Sequence, residues 1–216
     1  MDISKALRIL RDHGEPEGDK HYRPDRHFLG NRICAHAANP IARKATQSTS
    51  SLAAHLTKSV QTFWVTGTSA PCTGVFKPVW LDGDVLPDIG PSPGENFDPE
   101  TLWWRHEALH RRILLDFKHR IAAFSEERDD LEARFLQDAK QRENTPSSPD
   151  STAVGKIKPG NGQILKSHLT EEAFIESDTA ESRWLEKIRT LPIRNKPHFV
   201  YRRFWKGQNQ KSVFSF

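Results

Sequence analysis

The sequence has no long apolar run and only 2 cysteines among its 216 residues, and each lack excludes a class of protein. No stretch approaches the roughly 20 apolar residues that a helix needs to cross a bilayer, so we expect no membrane anchor. The opening MDISKALRILRDHG lacks the cationic start and unbroken apolar core of a secretory signal. Cys34 and Cys72 cannot build a disulfide framework and fit a reducing compartment, so we predict a cytoplasmic protein.

Charge gives little indication of a partner, because 32 basic residues are set against 28 acidic ones, for a net charge of +4. The local exception is residues 194–211, RNKPHFVYRRFWKGQNQK, where cations alternate with aromatic side chains that could stack on bases. No binding-module signature accompanies them. We therefore interpret this segment as a last strand or tail with solvated cations, and we do not expect nucleic-acid binding.

The first part of the chain predicts one amphipathic helix and then several short strands. Residues 2–13 have helical spacing, and Gly14 stands where a C-terminal cap belongs. Short apolar or alternating runs begin at residues 33, 48, 61 and 74, and they predict consecutive strands of a sheet. The Pro- and Gly-rich residues 81–100 predict a surface connection.

The second part predicts helices. Asp98 as N-cap and Pro99 as first helical residue predict a helix that runs to about residue 135, with a bend near Ser125. Residues 141–177 predict a disordered insertion or linker, and a shorter helix follows from about residue 179 to 191. We divide the chain into 1–140, the 141–177 insertion, and 178–216, which belongs to the same domain as 1–140.

One motif suggests metal chemistry. His106, Glu107 and His110 match H-E-x-x-H, in which a helix presents two zinc ligands and a general base. A catalytic zinc needs a third protein ligand, but the next candidate, Asp116, would lie about 9 Å further along a continuous helix. We therefore interpret the two histidines as hydrogen-bonded core residues that seat the helix, keep a zinc metallopeptidase as an alternative, and expect no cofactor.

Several strings, in order, resemble the C-terminal half of the dipeptidase and secernin family of cysteine hydrolases. They are LRILRDHG at 7, ICAHAA at 33, TQSTSSLAAHL at 46, VTGTSAPCTGVFKP at 65, WWRHEALHR at 103 and FWKGQNQK at 204. The resemblance implies an α+β fold, part of an αββα sandwich of the N-terminal-nucleophile hydrolases. Its antiparallel strands would be followed by one long helix and a shorter C-terminal helix.

The resemblance also implies an amide-bond hydrolase that acts on dipeptides, with a cysteine at the N-terminus whose α-amino group serves as the base. Here residue 2 is Asp2, and Cys34 and Cys72 are internal, so neither thiol has an adjacent α-amino group. We expect no catalytic residue in this chain and no peptidase activity from it alone. A small peptide would be the substrate once the N-terminal half completes the protein.

The same resemblance places substrate-binding residues in ARKATQSTSS, residues 42–51. Arg43, Lys44 and Thr49 are the candidates, and an arginine suits a substrate carboxylate because its two N–H groups bind both oxygens. If half of a two-sheet sandwich is absent, the remaining strands expose an apolar face and an open edge, so we also expect self-association.

Overall fold

A computed structural model describes residues 2–14, 22–26, 32–37, 46–58, 61–81, 87–143 and 161–215. Within these ranges the chain combines helices with one small antiparallel sheet, which confirms the α+β class. The helices are α1 (Ile3–Leu10), α2 (Leu102–Ile113), α3 (Phe117–Ile121), α4 (Ser125–Glu143), α5 (Asn161–Thr190) and α6 (Phe199–Lys211), with a 3-10 turn at Pro24–Arg26. The strands are β1 (Leu52–Leu56), β2 (Gln61–Val65) and β3 (Lys77–Val79).

The sheet has the order β1-β2-β3, so β2 is central and both pairings are antiparallel. Trp64 of β2 is buried and lies between Ala53 and Pro78 in the register of the pairings. β1 forms an edge of the sheet, where Leu52 and Leu56 are 57% and 62% exposed. Among the described residues, this strand therefore presents apolar side chains that no other element covers.

The strand predicted at residue 33 is wrong. Residues 32–37 have no regular structure, although Cys34 donates its backbone N–H to Asp12 and Ala35 accepts one from Ser48. Isolated backbone bonds of this kind do not form a ladder, and the side chains of Cys34 and His36 are buried among residues distant in sequence. The other three predicted strands are confirmed, in shorter form, as β1, β2 and β3.

The single long helix predicted from Asp98 is wrong in both its start and its continuity. The N-cap is Thr101, whose hydroxyl accepts the N–H of Trp104 at 3.3 Å, and α2 ends at Ile113. Two breaks then separate α2, α3 and α4, although Phe117 and Phe124 remain buried. The break before Ser125 agrees with the predicted bend, whereas the break after Ile113 was not predicted, because hydrophobic spacing continues through it where each short helix buries a side chain in the same core.

The longest helix is α5, with 30 residues, and it occupies positions predicted as linker. The predicted insertion at 141–177 is therefore wrong for 141–143, which end α4, and for 161–177, whereas 144–160 lie outside the described residues. The helix forms because a stripe of side chains at helical spacing is buried along it: Leu169, Ala173, Ala180, Trp184 and Ile188. Its end at Thr190, shortly before Pro192, agrees with the prediction.

The basic aromatic segment near the C-terminus is a helix, α6, and the predicted strand or tail is wrong. Tyr201 and Trp205 lie one turn apart and are both buried, so tertiary packing stabilises the helix. Among the helices described above, none combines the length and the apolar composition that a bilayer crossing requires.

Candidate metal centre

Two cysteines and two histidines meet in the interior of the protein and form what we call the thiol–imidazole cluster: His13, Cys34, His36 and Cys72. His13 follows α1, Cys34 and His36 belong to the irregular segment 32–37, and Cys72 lies in the turn before β3. Their side chains are between 0% and 5% exposed. One ligand atom from each residue lies within 4.8 Å of the other three.

His36 is the centre of the cluster. Its Nε2 lies 3.2 Å from Nε2 of His13, 3.3 Å from Sγ of Cys72 and 3.8 Å from Sγ of Cys34. Three potential ligand atoms therefore surround a single nitrogen at close range. The cluster is also lined by aromatic rings, because Tyr22 stacks on His13 at 3.9 Å and Phe117 approaches the His36 ring edge-on at 5.2 Å.

A chain of hydrogen bonds leads from His36 to α2. Nδ1 of His36 lies 2.9 Å from Nε2 of His110, and Nδ1 of His110 lies 3.1 Å from Oε2 of Glu107. A carboxylate can only accept, so His110 donates from Nδ1 and accepts at Nε2, and His36 then donates from Nδ1. This assignment leaves the lone pair of His36 Nε2 directed at the cluster.

Glu107 is held as an anion at the end of this chain. Burial opposes its ionisation, but the hydrogen bond from His110 and the charge and hydrogen bond of Arg111 outweigh burial and lower the pKa of Glu107 to about 2. Arg111 donates to Oε1 at 2.8 Å, and Oε2 accepts from Ser69 and from Gln47. With all these partners and 1% exposure, Glu107 orients His110 and does not face solvent.

The protonation states of side chains in the cluster are ones in which such side chains can bind a metal ion. Burial lowers the pKa of His36 to about 4, so its imidazole is neutral at pH 7. Burial alone would raise the pKa of Cys34, but its contacts with Cys72, His13 and His36 hold it well below the usual value. Burial and the neighbouring Cys34 raise the pKa of Cys72. The cluster therefore already contains a neutral imidazole and a stabilised thiolate, the forms in which these side chains bind metals.

The turn that carries Cys72 is anchored by two arginines. Arg11 donates to the carbonyl oxygens of Pro71 at 2.9 Å and of Gly74 at 3.0 Å, and Arg128 donates to the carbonyl of Cys72 itself. Arg11 also makes a bidentate ion pair with Glu132 of α4. Elements far apart in sequence thus hold Cys72 against His36.

The H-E-x-x-H helix does not form a zincin site. His106 is directed away from His110, with Nδ1 at 2.7 Å from Glu181 and Nε2 at 3.1 Å from the hydroxyl of Thr73. His106 and His110 are both fully buried and hydrogen-bonded, which confirms them as core residues that seat the helix. Asp116, the possible third ligand, instead accepts the backbone N–H groups of residues 194 and 195.

The structure describes one of the three candidate substrate-binding residues, Thr49. Arg43 and Lys44 lie outside the described residues. Thr49 is exposed beside β1, and its carbonyl accepts the indole N–H of Trp103 at 3.3 Å. Thr49 therefore lies at the solvent-exposed surface, and its role in substrate binding stays a prediction.

Two aromatic rings of the basic aromatic segment face the interior of the protein and do not form a base-stacking surface. Tyr201 and Trp205 point inward and line a cavity of about 320 Å³ between α2 and α6, together with Arg111 and Phe214. These two buried rings cannot stack on bases from solvent, whereas Phe199 is 63% exposed. The cations Arg202, Arg203 and Lys206 remain on the outside, as expected for a solvated face.

No protein-family model matches the chain, and the curated proteins contain no match to it.

Sequence reasoning missed the thiol–imidazole cluster because it considered each cysteine by itself. The only available signal was Cys34-Ala35-His36, a short-range pair of metal-ligand types. Cys72 is separated from that pair by more than thirty residues, and His13 by about twenty, so no regular ligand spacing connects them.

Proposed function

We propose that this chain is the C-terminal part of a cysteine dipeptidase of the N-terminal-nucleophile class, and that it cleaves no peptide without the part that carries the nucleophile. One observation carries the proposal. Four of the strings that resemble the dipeptidase and secernin family, although scattered over about a hundred residues of sequence, meet at a single buried centre.

Four of the six strings contribute to that centre. LRDHG supplies His13, ICAHAA supplies His36, VTGTSAPCTGVFKP supplies Cys72, and WWRHEALHR supplies His110 and Glu107. Strings that matched by chance would have no reason to converge in space. Their convergence supports the view that they are parts of one inherited structural unit.

The open edge of the sheet supports the finer assignment of a partial αββα sandwich. Leu52 and Leu56 of β1 are more than half exposed, and β1 has one pairing partner among the described strands. Edge strands with exposed apolar side chains are rare in complete domains because they promote aggregation. We assign the missing cover to strands of the N-terminal part of the enzyme.

The chemistry would belong to that other part. A thiol that passes its proton to the α-amino group attacks the amide carbonyl as a thiolate, the amine leaves with that proton, and water hydrolyses the thioester. Cys34 and Cys72 cannot replace this nucleophile, because both are buried and substrate cannot reach them. This chain would contribute pocket wall, with Arg43 or Lys44 and Thr49 as candidates for binding a peptide carboxylate in the cytoplasm.

The test begins with the protein as its own cell makes it, by intact mass and N-terminal sequencing. The proposal expects the 216-residue segment to be found either within a larger product or bound to a second chain, in both cases beginning with a processed cysteine. It also expects no dipeptide hydrolysis by the isolated chain, with or without a chelator. Hydrolysis by the isolated chain, or a native product of 24.7 kDa with no partner, would contradict it.

A variant pair tests the role of the open edge. Leu56→Lys on β1 should abolish self-association of the isolated chain, measured by analytical ultracentrifugation, because a buried lysine at a strand pairing is unfavourable. Ile175→Lys is the matched control, since Ile175 is 59% exposed but lies on α5. Equal self-association of the two variants would refute a role for the β1 edge.

A further inference from the structure

We propose that His13, Cys34, His36 and Cys72 bind one zinc ion in a closed tetrahedral site. The zinc would join three parts of the chain: the end of α1, the segment 32–37, and the turn before β3. This goes beyond the hydrolase proposal and departs from our expectation that the chain has no cofactor. It rests on the geometry of the four side chains.

Three of the six distances between the ligand atoms, all measured from Nε2 of His36, are close to the edges of a zinc tetrahedron, and the other three are at most 4.8 Å. With Zn–N of about 2.05 Å and Zn–S of about 2.3 Å, tetrahedral geometry requires edges of about 3.3 Å for N···N and about 3.6 Å for S···N. The distance between Nε2 of His13 and Nε2 of His36 is 3.2 Å. The distances from Nε2 of His36 to the two sulfurs are 3.3 and 3.8 Å, on either side of the ideal S···N edge.

The surroundings of His36 match those of a metal-bound histidine. Metal-ligating histidines commonly donate the second ring N–H to a carboxylate or another acceptor, which fixes the tautomer and the ring orientation. In the tautomer assigned above, His36 donates to His110, and His110 donates to the Glu107 carboxylate. The chain of donors therefore fixes Nε2 of His36 as the atom that faces the ion.

The donor set selects the kind of metal and the kind of site. Two thiolates and two imidazoles in a tetrahedral arrangement favour zinc over the hard cations magnesium and calcium, which prefer oxygen ligands. Four protein ligands leave no open position for water or substrate, which is the property of a structural zinc site. Burial of all four residues is consistent with this, since no substrate could approach the ion.

A structural ion would explain how segment 32–37 is held in the core. That segment has no regular secondary structure, and its backbone bonds to Asp12, which follows α1, and to Ser48. The cluster places two thiols beside two imidazoles in the interior of the protein. A divalent cation would allow both sulfurs to be anionic and would bind all three parts at once.

The first experiment measures metal in the full 216-residue chain, purified without chelator or histidine tag, by plasma mass spectrometry. We expect about one zinc per chain. Replacement of zinc by cobalt should give the intense visible bands of tetrahedral cobalt and a thiolate-to-cobalt charge-transfer band. X-ray absorption should show two sulfur and two nitrogen neighbours, at about 2.3 and about 2.0 Å.

Variants connect the ion to these residues. Cys34→Ser, Cys72→Ser and His36→Gln should each lower zinc affinity by at least tenfold, measured by competition with a chromogenic chelator. His106→Gln is the matched control, because His106 is equally buried and hydrogen-bonded but lies outside the cluster. His106→Gln should retain zinc, whereas a loss of zinc in all variants alike would show only that buried histidines are needed for folding and would overturn the assignment.

The parent chain alone also provides a test if the variants fail to fold. A chain that is folded by circular dichroism, contains no zinc, and gives an octahedral cobalt spectrum without charge transfer would refute the site. A Cys34–Cys72 disulfide, seen as a mass lower by the hydrogens lost, would refute it as well. Each of these readouts is independent of peptidase activity, so the site and the hydrolase proposal can fail separately.

Discussion

The ion pair between Arg11 and Glu132 offers a quantitative test of how the core is held together. The two groups make a bidentate contact, at 2.7 and 2.6 Å, and are 12% and 8% exposed. Glu132 also accepts the backbone N–H of Phe76 at 2.9 Å, and Arg11 donates to two carbonyls of the Cys72 turn. The pair therefore joins α1, α4 and the turn before β3.

Glu132→Gln keeps the size of the side chain but leaves the Arg11 guanidinium buried without its counterion. Removal of one partner of a buried pair costs about 3 to 5 kcal/mol. For a chain of this length, each kcal/mol lowers Tm by about 2 to 4 °C. We therefore expect a Tm about 6 to 20 °C below that of the parent, with a matching shift of the urea midpoint in the same zinc-containing buffer.

The matched control is Glu176→Gln, which removes the ion pair between Glu176 and Arg134. Those groups are 44% and 60% exposed, and exposed pairs contribute about 1 kcal/mol or less. A double-mutant cycle with Arg11→Met and Glu132→Gln should give a coupling energy of at least about 1.5 kcal/mol. The reasoning is refuted if Glu132→Gln costs no more than Glu176→Gln, or if the cycle is additive.

Two further predictions concern other parts of the core. Trp184→Ala should lower the free energy of unfolding by about 3 to 5 kcal/mol in urea titrations, because Trp184 is fully buried and stacks on Phe124 at 4.7 Å; a loss below about 1 kcal/mol would contradict the observed packing. Burial opposes ionisation of Asp25, but hydrogen bonds from Arg23 and from the backbone N–H of His198 outweigh it and lower the pKa of Asp25 below its usual 3.8. Asp25→Asn should therefore cost about 1 to 3 kcal/mol at pH 7. Because the folded pKa is the lower one, this difference should shrink as pH falls through 3.8; unfolding curves at pH 6 and pH 3 with an unchanged difference would refute it.

Patterns of neighbouring residues predicted the elements whose buried side is set within a short stretch of sequence. The amphipathic spacing of residues 2–13 corresponds to α1, the alternation at 61–65 to β2, and the Pro192 stop to the end of α5. Such patterns record which side of an element is buried, and that information lies within a few neighbouring residues. The same local reasoning identified His106 and His110 as core residues of α2.

Predictions failed where distant parts of the chain decide the outcome. The first half of α5 reads as polar linker, yet burial of Leu169 and Ala173 makes it helical. The break after Ile113 leaves no trace in the hydrophobic spacing. Residues 194–211 are predicted as a last strand or tail, whereas contacts with α2 place Tyr201 and Trp205 on the buried side of a helix.

The candidate metal site shows most clearly the difference between what the sequence determines and what the tertiary structure determines. The sequence by itself determined that two cysteines and several histidines were available, and that the H-E-x-x-H helix lacked a third ligand. Only the tertiary structure decided which of them meet, because His13, Cys34 with His36, and Cys72 come from segments that no short-range spacing relates. Packing of α1, α2 and α4 around the Cys72 turn brings these ligand atoms within 4.8 Å of one another, and that proximity is a property of the fold.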